Sequence, residues 1–183
     1  QLVRAADSLF WSDGSNWNKI LGPGADPWSY IVLPANVANS TITLANATGL
    51  TFTAEANTLY EIEVIGAFKA EATTTGIAMA LDIPSGNVVG LGTHATAAGA
   101  MLGFEQIADA ANPGTTTGVR ASATNVPFTS NYLVSVGATG GAIQLQFRSE
   151  IASSAVTLQG GLVIMKWRKA QTMGSRIQEP KAY

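Results

Sequence analysis

The chain has 183 residues, enough for a single domain with a sizeable hydrophobic core. It has no cysteine and one histidine, which excludes a disulfide framework and a thiolate metal site. Only 12% of its residues are charged against 46% that are hydrophobic, yet no apolar run approaches the ~20 residues that cross a bilayer. We therefore expect no membrane partner, and a surface partly covered by copies of the chain or by another protein.

Residues 1–28 differ in composition from the rest of the chain. They contain Trp11, Trp17 and Trp28 among glycine- and proline-rich turns, and one short helical turn is predicted over Ala5–Trp11. Tryptophan is enriched where one chain buries a side chain in a pocket of another. This pattern predicts an N-terminal anchoring arm that grips a partner; the alternative is an arm that folds back and caps its own core.

From residue 29 onward the sequence predicts successive strands separated by turns rich in glycine, proline and asparagine. The predicted strands are Ser29–Leu33, Ser40–Leu44, Thr58–Ala70, Gly76–Ile83, Val88–His94, Ala98–Phe104, Thr115–Ser122, Asn131–Val136, Ala142–Ser149 and Val156–Trp167. Strands at this spacing indicate an all-β protein with an antiparallel sandwich or barrel. Helix is a minor component, considered only for Leu102–Ala111.

Two strand patterns carry information about burial. In Thr58–Ala70, the residues Tyr60, Ile62 and Val64 share one face and alternate with acidic residues on the other. The run Leu162–Met165 is instead continuously apolar, which a strand needs only when both of its faces are covered. The second cover would come from another subunit, unless the strand simply lies in the middle of a sheet.

Several of these segments together resemble a jelly-roll domain common in bacteriophage virion proteins and similar to the tumour-necrosis-factor fold. The segments that carry the resemblance are Tyr60–Glu63, the threonine-rich turn and strand Thr73–Leu81, the turn Pro84–Gly86, and the closing strands Asn131–Val136, Ala142–Arg148 and Leu158–Trp167. The resemblance covers roughly residues 40–167. It implies an antiparallel jelly-roll-type β-sandwich over 29–167 with extended N- and C-terminal arms.

The same resemblance implies a structural or adhesive protein of the virion, without enzymatic activity, cofactor or metal. Such domains usually form trimers about a three-fold axis. We therefore expect a homotrimeric capsid decoration or cement protein on the exterior of a phage head, bound to the major capsid protein or another virion protein. The alternative is a receptor- or glycan-binding adhesin of a head fibre or tail fibre, with a host-surface glycan as partner.

The residues 168–183 form a predicted basic tail. Arg168, Lys169 and Arg176 are its candidate partner-binding residues, alongside the three tryptophans of the arm. Basic tails bind nucleic acid by neutralising phosphates, but these cations are too widely spaced to predict a nucleic-acid partner. A solvated tail, or one docked on an acidic surface, is the simpler interpretation.

Residues with catalytic potential are few. His94 lies at the end of an apolar strand without carboxylates at metal-ligand spacing, which favours a structural histidine. Glu61 and Glu63 share a strand face about 6 to 7 Å apart, a separation that superficially suits glycoside cleavage. Two acids on one strand are more often solvated or engaged in polar contacts, and no Gly-x-Ser-x-Gly elbow is present. The sequence therefore predicts no enzyme.

Overall fold

Alternating apolar and polar side chains build the chain into two antiparallel sheets packed face to face. The computed structural model describes residues 28–95, 101–105, 114–115 and 124–170, with side chains for 28–93 and 124–170, and the strand residues 2–5, 8–12 and 17–20. These residues form strands, turns and irregular segments without a helix, and all pairings are antiparallel. The predicted all-β antiparallel sandwich is confirmed.

The larger sheet is organised around one long strand, β7. Its strands are β4 (Ser29–Val32), β5 (Val37–Asn39), β7 (Leu59–Ala70), β9 (Gly86–Ala95), β10 (Met101–Glu105), β12 (Val126–Val136), β14 (Val156–Leu158) and β15 (Ile164–Lys169). One side of β7 pairs with β12, followed by β9 and β10. The other side pairs with β14 and β15, beyond which lie β5 and β4.

The smaller main sheet has the strand order β11-β8-β13-β6. Its members are β6 (Ala45–Ala54), β8 (Ile77–Asp82), β11 (Gly114–Thr115) and β13 (Gly141–Ser149). From β6 to β9, and again from β11 to β14, consecutive strands lie in opposite sheets. The chain therefore crosses between the layers repeatedly, which is the connectivity of a sandwich rather than of a simple meander.

A separate three-stranded sheet forms near the N-terminus. It consists of β1 (Leu2–Ala5), β2 (Ser8–Ser12) and β3 (Trp17–Ile20) in sequential order, and its strands pair only with one another. The helical turn predicted over Ala5–Trp11 is wrong, because Ser8–Trp11 belongs to β2 and pairs with β1. The turn-rich composition concealed these short strands.

The hydrophobic core lies between the two main sheets and is built by their inward-facing residues. Aromatic side chains join the layers: the Phe52 ring of β6 stacks on Trp167 of β15 at a centroid distance of 4.3 Å and meets Tyr60 of β7 edge-on at 5.5 Å. Such pairs contribute about 0.5–1.5 kcal/mol beyond the area they bury. The predicted inward positions Tyr60, Ile62 and Val64 are buried, as expected.

Strand β6 was not predicted, and the predicted strand Ser40–Leu44 is wrong. The register between β13 and β6 shifts between Gln144 and Gln146, and Gly49 on β6 adopts φ +100° near this irregularity. A bulge of this kind breaks the two-residue alternation and permits the positive φ that glycine tolerates. The strand continues through Gly49, although glycine is more typical of turns.

The stretch Ser40–Leu44 is a turn organised by the buried side chain of Asn39. The Asn39 Oδ1 accepts hydrogen bonds from the Thr41 backbone N–H and hydroxyl at 2.8 Å, and its Nδ2 donates to the Thr43 and Phe147 carbonyl oxygens at 2.9 Å. Asparagine side chains of this kind replace ladder hydrogen bonds with local ones. The β-branched residues here consequently leave the strand conformation that their propensity favours.

The predicted strand Val156–Trp167 is interrupted, and the interruption exposes part of its apolar run. β14 pairs with the Phe68–Ala70 end of β7, and β15 pairs with the Tyr60–Ile65 end. From the end of this break into β15, Val163 and Met165 are fully buried, whereas Leu162 is 51% and Ile164 39% exposed. Within the single chain the run Leu162–Met165 is therefore covered on one face only, and its other face is open.

Among the strands whose side chains are described, β8 is buried on both faces. All five residues from Ile77 to Leu81 are at most 1% exposed, including Ala78 and Ala80, which alternate with the inward Met79. A strand that is covered on both faces needs apolar side chains on both, and small alanine side chains meet this need as larger apolar residues do. The alternation of alanine with larger residues hid this from the sequence pattern.

The core also contains two hydroxyls without hydrogen-bond partners. Ser130 Oγ and Tyr132 Oη, on the inward face of β12, are buried and neither makes a hydrogen bond of acceptable geometry. Burial raises the pKa of Tyr132 to about 12, and the neighbouring Ser130 hydroxyl offsets part of that rise. An unpartnered buried hydroxyl costs roughly 1–3 kcal/mol of desolvation.

Tyr132→Phe tests this cost. The pKa of the folded tyrosine lies above its unfolded value of 10.0, so its contribution to stability is complete below pH 10 and is lost as pH rises towards 12. At pH 8 we expect the variant to be as stable as the wild type or more stable. Between pH 8 and pH 11, the free energy of unfolding of the wild type should fall by about 1 kcal/mol more than that of the variant. Urea unfolding at both pH values measures these free energies, and Tyr30→Phe, at an exposed tyrosine, is the control. A difference in stability between wild type and Tyr132→Phe that does not change with pH would contradict the prediction.

Gly66→Ala tests the packing at the break between β14 and β15. A Cβ at Gly66 would lie 2.7 Å from Val163 Cγ2, 2.8 Å from Val163 Cα and 2.9 Å from Leu162 O, so backbone would have to move. We expect a loss of roughly 1–3 kcal/mol in the free energy of unfolding. Gly161→Ala is the control, because a Cβ there meets nothing within 4 Å and only its φ of +73° is strained. If Gly66→Ala loses no more stability than the control, Gly66 is not packed closely against Leu162 and Val163.

Candidate binding surface

The side of the larger sheet that faces away from the core is termed the outer face. It consists of the alternate residues of β4, β15, β7, β12 and β9 that the core does not use. The register aligns them in rows across the sheet: Val89, Leu133, Glu61 and Arg168; Leu91, Asn131, Glu63, Lys166 and Tyr30; and Thr93, Thr129, Ile65, Ile164 and Val32. Seven of these residues are exposed large hydrophobics, which makes the face unusually apolar for a free surface.

A charged strip runs down the middle of the outer face, where β7 lies beside β15. The Arg168 Nε and Nη2 atoms contact Glu61 Oε2 at 2.6 and 2.5 Å, and the Lys166 ammonium lies 2.6 Å from Glu63 Oε2. All four side chains are between one quarter and two fifths exposed. Pairs at this exposure contribute about 0–1 kcal/mol each, so the strip fixes the register of β15 on β7 more than it adds stability.

Trp28 lies beside the charged strip and contacts both of its cations. The Arg168 guanidinium carbon is 4.6 Å and the Lys166 ammonium 5.0 Å from the ring centroid, which is cation–π geometry. The structure thus brings together two of the predicted partner-binding residues, Trp28 and Arg168, on the outer face. Trp28 covers the cations of its own chain.

The groove patch lies on the outer face at the β9–β12 end. Its apolar members are Val89, Leu91 and Leu133, which are 54%, 52% and 50% exposed, and with Asn131 they line a groove of 410 Å³. Val89 faces Leu133 and Leu91 faces Asn131 in the register, so the four side chains form a hole between two strands. The depression is open to solvent, and Glu61 of the charged strip also lines it.

The edge patch lies at the opposite end of the outer face. It consists of Tyr30, Val32, Ile164 and Ile65, and Tyr30 is 70% exposed. β4 is the last strand of the described sheet at this end, because it pairs only with β15. An aromatic side chain therefore protrudes from an uncharged edge strand, a place where proteins commonly contact a partner.

The remaining predicted partner-binding residues are not gathered on the outer face. Lys169 ends β15 and its ammonium lies 2.6 Å from Glu55 Oε1, and this hydrogen bond raises the pKa of Lys169. Trp11 pairs with Leu2 and Asn18 within the N-terminal sheet, and Trp17 pairs with Ser12. Arg176 lies outside the described residues, so its role and those of Trp11 and Trp17 stay predictions.

The residues with predicted catalytic potential lie on paired strands of the larger sheet. Glu61 and Glu63 each pair with a cation of β15. His94 lies in β9, paired with Phe128 and Leu102. Over the described part of the chain, no three metal-ligating side chains come together. In the same part, no helix has the length and apolarity to span a membrane.

Comparisons with known proteins give distant likenesses only. No family model matches the chain, and no curated protein does. Among solved structures, the VP2 subviral particle of infectious bursal disease virus is similar at 8% identity and a TM-score of 0.23, over 87% of this chain and 41% of that chain. The Gt strain of the same virus is similar at 10% identity and a TM-score of 0.23, over 93% and 43%. The chain thus spans about two fifths of the length of these structures.

Glu63→Gln tests the energetic weight of the charged strip. Because the pair is partly exposed, we expect the variant to lose no more than about 1 kcal/mol of unfolding free energy. A double-mutant cycle with Lys166→Met should give a coupling energy of about 0.5 kcal/mol that falls as salt is added. Chemical unfolding in low and high salt measures this coupling energy. A coupling energy of several kcal/mol that does not change with salt concentration would show that the ion pair is fully desolvated.

Proposed function

We propose that this chain is a non-enzymatic structural protein of a phage particle, a decoration or cement protein that trimerises on the exterior of the capsid. The observation that carries the proposal is the outer face, which presents two exposed apolar patches on a rigid sheet. A protein with this surface gains free energy by covering it. Assembly, rather than chemistry, is the activity that such a surface serves.

The strand connectivity supports the jelly-roll part of the proposal. From β6 to β9 and from β11 to β14, sequential strands lie in opposite layers, an arrangement that is typical of a jelly roll. The β9–β10 hairpin extends the first layer beyond β12. The virion location itself rests on the resemblance of the sequence to phage jelly-roll domains, since fold alone does not assign function.

In the proposed mechanism the trimer strengthens the shell mechanically. The N-terminal sheet, which carries Trp11 and Trp17, and the basic C-terminal residues including Arg176 hold the major capsid protein. The sandwich meanwhile associates with its copies through the outer face. Each contact adds buried apolar area that must be exposed again before the shell opens. No bond is made or broken, and no cofactor takes part.

A second candidate is a receptor- or glycan-binding adhesin. A polar depression of 280 Å³ is lined by Asn36, Lys69, Glu71, Thr157 and Gln159, side chains of the type that bind sugar hydroxyls. However, Asn36 Oδ1 accepts a hydrogen bond from the Gly160 N–H and Glu71 Oε2 accepts one from the Ala155 N–H. Much of the polar capacity of this depression is used within the chain, which favours decoration.

Ultracentrifugation of the full chain, alone and with undecorated shells of the encoding phage, tests the proposal. We expect a particle of three times the 18.9 kDa chain mass that co-sediments with shells. Changing Trp11 and Trp17 together to alanine should abolish co-sedimentation and preserve the trimer, whereas the matched exposed change Ile42→Ala should do neither. A monomer at every concentration would contradict self-assembly. A trimer that ignores shells would contradict decoration and favour the adhesin.

A further inference from the structure

We infer that a bulge in β6, held by the side chain of Gln144, keeps the edge of the smaller sheet from pairing with a strand of another chain. Among the described strands, β6 pairs with β13 alone, so its far side ends the sheet. The backbone N–H and C=O groups of such an edge are a template for a further strand. The inference concerns this backbone edge and is independent of the proposed function, which uses the outer face of the larger sheet.

β6 is the edge strand that most needs protection. Among the edge strands that the structure describes, β4, β5, β10 and β11 have four, three, five and two residues, whereas β6 has ten. Its sequence contains neither a charged residue nor a proline, and residues 50–54 combine threonine with leucine and phenylalanine. Uncharged segments of this composition stack readily into cross-β aggregates. A regular strand of this length at a sheet edge would therefore recruit other chains.

The bulge interrupts the regular ladder in the middle of β6. Asn46 pairs with Gln146 and Thr51 pairs with Gln144, so the four residues 47–50 lie opposite a single residue of β13. A bulge bends its strand and leaves the extra residues unpaired. The edge of β6 consequently lacks the continuous row of donors and acceptors that an added strand needs.

Gly49 and Pro34 shape the bulge. Ala47 and Leu50 are both fully buried although they are three positions apart, and Gly49 between them has a φ of +100°, which favours glycine. A Cβ at Gly49 would lie 2.8 Å from Pro34 Cδ, so the link between β4 and β5 lies directly against the bulge. Because proline has no backbone N–H, Pro34 covers the bulge without presenting a donor to another strand.

The side chain of Gln144 joins the two ends of the bulge. Its Nε2 donates hydrogen bonds to Ala47 O at 3.1 Å and to Leu50 O at 3.0 Å. Gln146, two residues further along β13, donates instead to Asn46 Oδ1 at 2.9 Å, a bond that involves no backbone group of β6. Without the Gln144 amide, both carbonyl oxygens lose a donor that they share, and the contact that holds the bulge is lost.

Gln144→Ala in the full chain tests the inference, with Gln146→Ala as the matched control on the same strand. We expect Gln144→Ala to form thioflavin-T-positive aggregates roughly tenfold faster than the control or the wild type, because its edge can pair with other chains. Gly66→Ala, which destabilises the larger sheet and leaves β6 unchanged, is compared at a urea concentration that gives the same unfolded fraction. Aggregation of Gln144→Ala that is no faster than that of either comparison variant would overturn the inference.

A charge on the edge provides a second test. Thr53 is exposed on β6, and adding Thr53→Lys to the Gln144→Ala chain should restore the slow aggregation of the wild type, since an edge lysine opposes an approaching strand. Ile151→Lys makes the same change of charge at an exposed position outside β6 and should not slow aggregation. Equal suppression by both lysines would overturn the inference, because net charge rather than the edge would then control aggregation. If Gln144→Ala does not fold, Gln144→Met and Gln146→Met give the same comparison with the length of the side chain kept.

Discussion

Strand β7 is the element on which the rest of the sandwich depends. It pairs with β12 on one side and with both β14 and β15 on the other, so the larger sheet exists only while this strand is extended. Its alternation places Tyr60, Ile62 and Val64 in the core and Glu61, Glu63 and Ile65 on the outer face. One period-two pattern thus specifies both the packing that stabilises the fold and the surface that it presents.

Much of the fold follows from such local patterns, and the failures have physical causes. β7 and β13 were predictable because their alternation is regular, whereas only the Asn131–Val136 part of β12 (Val126–Val136) was predicted. β6 was not, because the register shift near Gly49 changes the phase of its buried residues, and Ser40–Leu44 was mistaken for a strand because the buried Asn39 side chain replaces the ladder. The bulge in β6 and the turn held by the Asn39 side chain depend on residues distant in sequence. Local strand propensity carries no information about those residues.

The surface was only partly accessible from the sequence. The outward position of Glu61 and Glu63 was predictable. The second cover expected for the apolar run Leu162–Met165 stays a prediction, because the chain itself covers only one face of this run. The groove patch was not foreseen, because Leu133 and Val89 look like core residues until the register puts them opposite each other on the outer face. Burial is a property of the assembled sheet, so an exposed leucine in an alternating strand gives no local signal.

The central claim is that copies of this chain cover the outer face. Hydroxyl-radical footprinting across a dilution series measures this directly, because it reports side-chain accessibility in the full, unmodified chain. The account predicts that oxidation of Tyr30, Leu91 and Leu133 falls as the protein concentration rises, while that of the exposed Ile42 and Ile151, which lie off this face, stays constant. Equal oxidation of the outer face at all concentrations, in a protein that sediments as an oligomer, would place the interface elsewhere and contradict the account.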